Sequence, residues 1–250
     1  MRRLPLILPL IVVLGACTAT PEQSVTPSPT PEVTADVAVV DDVPAAIRRT
    51  FDAQTAAIDI LILTTLGDQE AALAGEGSVE FTTGNADVTW SDENGVVVER
   101  RTSDGLFVHI DPPDGPWYEL AEDDATPTTF SLDPLADLTD LQNPVNEGAE
   151  TLDGQATTRF VGTAPAAGCL DGAGFSDEDR ARIESSTDVV CRVSLWIDER
   201  GYIVRIDRLF GADLEPALRA SSLRSTTLSE FGEPVVITTP PQVEPAPESP

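Results

Sequence analysis

Three thiols, one imidazole and 43 carboxylates are the groups in this chain that could do chemistry. Their spacing excludes the familiar catalysts. There is no Gly-x-Ser-x-Gly elbow for a serine nucleophile, because Gly174-Phe175-Ser176-Asp177-Glu178 fails at its last position. His109 is the one histidine, so no His pair can hold zinc, and there is no Cys-x-x-Cys and no phosphate loop. His109 stands near Phe107 in a strand-like run and reads as a surface or satisfied core residue. Asp111, Asp114, Glu122, Asp123 and Asp124 carry the oxygen ligands calcium takes, but their spacing matches no standard loop. Adjacent acids such as Asp41-Asp42 and Asp123-Asp124 arise by chance among so many carboxylates and read as a solvated face. The expectation is no enzyme, no metal and no cofactor.

The thiol of Cys17 is different. Arg2-Arg3 precedes an apolar run over 4–14 and then Leu14-Gly15-Ala16-Cys17. A basic start, a short apolar stretch and small residues before a break make a secretory signal segment over 1–16. The run is too short to cross the ~30 Å hydrocarbon core as a helix. Leu-Gly-Ala-Cys resembles a bacterial lipobox. That resemblance implies a diacylglyceryl group on the Cys17 sulfur, cleavage before Cys17 and acylation of the new amine, with palmitate as the usual label. The alternative is an ordinary secreted chain with a chance cysteine. One acyl chain holds a protein weakly and two or three hold it firmly. The expected location is the extracytoplasmic face of a membrane, with the protein lipid-anchored there.

Charge narrows the partners. The formal net charge is −28, and losing Arg2 and Arg3 takes it to about −30. All 15 basic residues are arginine. Nucleic acid and anionic lipid headgroups both require a basic footprint, so neither is an expected surface partner. With Cys17 acylated, Cys169 and Cys191 remain as an even pair in an oxidising compartment and are expected to form a disulfide. They bracket a segment with the look of an insertion.

The positioning elements follow from punctuation and periodicity. Residues 17–41 alternate Pro with Thr and Ser and read as a disordered tether, extended at ~3.1 Å per residue. The folded body is expected over 42–238, and 239–250, with five prolines, as a disordered tail. Asp42 and Pro44 open a helix whose Val43, Ile47 and Phe51 recur every four residues. Strand-like alternation follows: Ile58, Ile60 and Ile62; Val79 and Phe81; Val88 and Trp90; the apolar run 96–98; Leu106, Val108 and Ile110; then Trp117-Tyr118. The turns between them carry Gly, Asn and Asp, which predicts hairpins and antiparallel neighbours. Asp133-Pro134 opens a second helix bearing Leu135, Leu138 and Leu141, and 176–183 reads as a third. The clearest hairpin is late, with Val193, Leu195 and Ile197 alternating before Asp198-Glu199-Arg200-Gly201. The fold class is α+β: a single curved antiparallel sheet of about ten strands, with about three helices over its concave face.

In layout and local wording the chain resembles the actinobacterial LppX/LprG-type cell-envelope lipoproteins, which share the half-barrel fold of the carrier LolA. The resemblance spans roughly 42–240. It rests on the lipobox, the Thr/Pro tether, the hairpins ending at Trp117-Tyr118, Leu132-Asp133-Pro134, Trp196-Ile197-Asp198 with Gly201, and Leu228-Ser229-Glu230-Phe231-Gly232-Glu233-Pro234. It implies an apolar cavity, between sheet and helices, that accepts acyl chains of lipids or lipoglycans. The segment 169–191 and the lysine-free acidity depart from that pattern. No short motif defines the cavity, so its candidate lining comes from the alternating faces and the Leu-rich helix: Val79, Phe81, Val88, Trp90, Leu106, Val108, Ile110, Leu135, Leu138, Val193, Leu195 and Ile197.

Two functions compete. One is a monomeric carrier or chaperone of lipid in the cell envelope. The other is a tethered module with a filled core that binds an envelope protein.

Overall fold

Two antiparallel meanders, joined edge to edge, make the body of the protein. The computed structural model describes residues 43–92, 95–110, 115–120, 134–165, 169–170, 177–184, 189–215 and 218–245. They belong to one compact unit, 37–250. The first meander is β1 (Thr55–Leu66), β2 (Gln69–Glu80), β3 (Asn85–Asp92), β4 (Gly95–Thr102), β5 (Gly105–Ile110) and β6 (Trp117–Leu120). The second is β7 (Gln142–Leu152), β8 (Gln155–Thr163), β9 (Val190–Asp198), β10 (Ile203–Glu215) and β11 (Leu218–Ser229). β1 and β11 pair antiparallel from Ala57 opposite Ser229 to Leu66 opposite Ala220. A short β12 (Val243–Pro245) adds parallel to β6. The result is one curved sheet of 12 strands in the order β12-β6-β5-β4-β3-β2-β1-β11-β10-β9-β8-β7.

Side chains alternate across a strand, and here one face is covered. On β1, Ile58, Ile60 and Ile62 are buried while Asp59, Leu61 and Leu63 are exposed. In register with them, Leu228 and Thr226 of β11, Ile206 and Phe210 of β10, and Val193 and Leu195 of β9 are buried on the same face. Above this inner face lie α1 (Val43–Asp52), a 3-10 helix (Ala136–Asp140) and α2 (Asp177–Glu184). They place Val43, Ala46, Leu135, Leu138 and Ile183 in the same apolar cluster as the strands.

Several expectations are corrected. There are 12 strands rather than about ten, and two α-helices plus a 3-10 turn among the described residues rather than three helices. The α1 stripe is Val43, Ala46 and Thr50, with Phe51 exposed. Thr50 is buried because its hydroxyl donates to the Ala46 carbonyl at 2.9 Å and accepts the Ile203 N–H at 2.9 Å. The Leu135 helix shrinks to Ala136–Asp140, too short for an apolar stripe but long enough to bury Leu138 and, just ahead of it, Leu135. β7 has no hydrophobic alternation to announce it: nearly every residue is exposed, Pro144 lies within it and its register shifts twice. An edge strand tolerates all three.

The Pro-rich tail is held as far as Pro245. Thr238 accepts a bond from Arg100 at 3.3 Å, Thr239 and Thr102 share a hydroxyl bond at 3.2 Å, and Thr239 also donates to Asp104. Prolines are compatible with an edge, where no ladder donor is required. The signal segment, Cys17, the tether 17–41, Asp42, Asp111, Asp114, Glu122, Asp123, Asp124, Asp133 and 246–250 lie outside the described residues.

Candidate functional site

The inner face of the sheet collects most of the residues nominated from sequence. Val79, Val88, Val193, Leu195 and Ile197 are essentially inaccessible, and Phe81, Trp90, Leu135 and Leu138 are buried with them in one cluster. β5 behaves differently. Leu106 is buried, Val108 is half-buried and Ile110 is 44 % exposed, so the face opens towards the β6 edge. Ile110 therefore leaves the set: it ends its strand and faces Val97, itself only half-buried.

Cys169 and Cys191 are joined in a disulfide, with Cα atoms 5.9 Å apart. Both are buried, and Leu170 and Ile183 from the bracketed segment reach the core at 1 % and 0 % exposure. Arg180 on α2 donates to the Leu170 carbonyl at 3.1 Å, which fastens the helix to the bridge. Cys169, Leu170 and α2 are thus part of the cover over the inner face.

The inner face also holds charge that hydrophobic patterning missed. Trp90 lies opposite Gly75, and a Cβ at Gly75 would come within 2.5 Å of the indole. Glycine lets the ring lie flat on the neighbouring strand. From there Trp90 donates Nε1–H to Glu99 Oε2 at 3.0 Å. Glu99 is 2 % exposed. Burial pushes its carboxyl up to about 7, against the pull of the Trp90 hydrogen bond and the charges of Arg101 and Arg224. Arg208 and Arg224 are directly opposite each other on β10 and β11, at 5 % and 8 % exposure. Arg208 donates to the Pro134 carbonyl at 2.9 Å, tying the sheet to the segment that leads into the 3-10 helix. Arg208 falls in the alternation of Ile206 and Phe210, and Arg224 in that of Ser222, Thr226 and Leu228, but alternation alone does not say that a charge faces inward.

The outer face is built from aromatic–arginine stacks. Trp196 lies between Arg159 and Arg205, with guanidinium carbons 5.1 and 5.2 Å from its ring, and donates to Glu150 at 3.2 Å. Trp117 stacks on His109 with centroids 4.9 Å apart and lies under Arg100, which pairs with Asp87. These contacts account for both tryptophans and for His109 as structure. Leu61, Leu63 and Leu209 remain exposed on this face at 42 %, 42 % and 47 %. Beside Leu63 an open cleft of about 560 Å³ is lined by Thr64, Thr65, Glu70, Ala71, Ala72 and Asp92.

Among the described residues no three His, Cys, Asp or Glu gather to hold a metal, and no helix is long and apolar enough to cross a membrane. No family model and no curated protein matches the chain. Among solved structures it is similar to the lipoprotein LppX of Mycobacterium tuberculosis, at 20 % identity and a TM-score of 0.48, covering 79 % of this chain and 100 % of that one. It is also similar to LprF from Mycobacterium bovis, at 19 % identity and a TM-score of 0.45, covering 79 % of this chain and 94 % of that one. Likeness at this level assigns neither ligand nor activity.

Proposed function

We infer that this is a membrane-anchored, extracytoplasmic lipoprotein that holds the acyl chain of a lipid or lipoglycan against the inner face of its sheet and carries it within the cell envelope. The observation that supports the reading best is the continuous apolar surface formed by Ile58, Ile60 and Ile62 with Val88, Val193 and Leu195, over which, among the described residues, lie short helices. Short helices are cheap to displace, because each is held by few buried side chains. Each methylene transferred from water to that surface contributes about 0.8 kcal/mol, enough over one long chain to outweigh the cost of ordering it. The Leu14-Gly15-Ala16-Cys17 signature supports the anchor. No bond is made or broken. The test is whether lipid accompanies the folded protein through purification.

A second reading has its own support. The exposed Leu61, Leu63 and Leu209 make an apolar patch on the outer face, as a module that docks a protein partner would. Replacing Leu61 and Leu63 with Ser should abolish partner capture on that reading and leave lipid content unchanged on the first.

A further inference from the structure

Polar atoms on the inner face converge on one place. Glu99 and Arg101 alternate with Val97 on the inner side of β4, and Arg224 projects from the same face of β11. In sheet order β3, β2 and β1 stand between those strands, yet the charge of Arg224 acts on the Glu99 carboxyl. That effect points to an approach of the two across the concave space of the curved sheet. Glu99 Oε2 accepts the Trp90 indole, whereas Oε1 is buried and accepts no hydrogen bond among the described residues. Arg101 is half-buried, and its Nε is likewise buried and makes none. Interiors rarely leave two such atoms on one face of a strand without a partner in view. The chain has 43 acids and 15 arginines, and still commits Arg101, Arg208 and Arg224 to this covered face.

We propose that Glu99, Arg101 and Arg224 form a headgroup subsite inside the concave face, which binds the anionic head of an amphiphile, a carboxylate or a phosphate, while its alkyl chain lies on the apolar surface beside it. This rests on the lipid-carrier reading and adds the class of ligand to it. Guanidinium donors match both anions in geometry. A carboxyl that burial holds protonated near neutral pH donates its O–H, so Glu99 joins the donors instead of repelling the head. Trp90 fixes that carboxyl from the other side, and Gly75 lets Trp90 reach it.

The experiment is titration calorimetry of the full chain, delipidated, with dodecanoate, dodecyl phosphate and dodecanol below their micellar concentrations. The three share one alkyl chain and differ in the head. The subsite predicts that at least one of the two anions binds about tenfold more tightly than the alcohol, and the tighter anion identifies the source as fatty acid or phospholipid. Arg101→Gln should remove that preference, while Arg101→Lys should keep most of it. Equal affinity for all three overturns the subsite and leaves the lipid carrier standing. Binding of none overturns both. The wild-type comparison decides the matter even if Arg101→Gln fails to fold.

Discussion

Trp90 and Glu99 meet inside the concave face, the indole N–H 3.0 Å from a carboxylate oxygen on the neighbouring strand. A large aromatic and an acid share a site that hydrophobic alternation alone would have filled with aliphatic side chains. The pair makes stability depend on pH in a defined direction.

The folded state holds the Glu99 proton up to about pH 7, whereas the unfolded chain releases it near the ordinary carboxyl value of 4.5. Between those values the folded state binds more protons, so stability falls as pH rises. Below about 4.5 the contribution is complete, and above about 7 it is gone. A shift of this size corresponds to about 3 kcal/mol at most. Glu99→Gln keeps an acceptor for Trp90 and removes the titration. Urea unfolding at pH 5 and pH 8 should show a smaller loss of stability for the variant than for the wild type. Equal losses would show that Glu99 titrates normally.

Gly75→Ala should destabilise by about 1–3 kcal/mol, the usual cost of overpacking, because its Cβ would lie 2.5 Å from the Trp90 ring. Gly211→Ala is the matched control. It also lies within a strand, but nothing stands within 4 Å of its Cβ position. Thermal melts of the two variants should separate clearly. Similar melting temperatures would mean that Trp90 does not lie over Gly75.

Breaking the Cys169–Cys191 bridge by replacing both residues with Ala should cost about 3 kcal/mol in the chain-entropy picture, and should free the segment that buries Leu170 and Ile183. Peptide mapping without reductant checks the bond first. Two freely alkylated thiols in fresh protein would refute it.

Leu195 is inaccessible and lies in register with Phe160 on one side and Ile206 on the other. If an acyl chain occupies the space above it, Leu195→Trp should lower bound lipid with little change in melting temperature. If that space is a dry core, the larger ring should cost about 1–3 kcal/mol. Leu195→Asp should harm folding in either case, because it buries an unpaired charge.

The elements that alternate cleanly were legible in the sequence: β1, β3, β5, β9 and the β9–β10 turn. At that turn Asp198 accepts the Arg200 and Tyr202 amides at 3.0 and 2.9 Å. What was not legible had no hydrophobic period. β7 is an exposed edge, and the first half of β2 is Gln-Glu-Ala-Ala-Leu-Ala, which carries no strand preference. Both are specified by their partners in the sheet. Of the candidate site, the aliphatic faces were readable by period two. Glu99, Arg101, Arg208 and Arg224 were not, since an arginine in register with core residues looks the same in sequence as one on the solvent side of a slipped strand. The β1–β11 pairing that sets the register spans most of the chain, and no local signal encodes it.

The most direct measurement is native mass spectrometry of the full chain, purified in a detergent that the spectrometer strips away. The lipid-carrier account predicts a folded species heavier than the acylated polypeptide by the mass of one lipid, which is lost on denaturation and recovered by organic extraction. A folded species at the mass of the acylated polypeptide alone, from several preparations and with no extractable lipid, would contradict it.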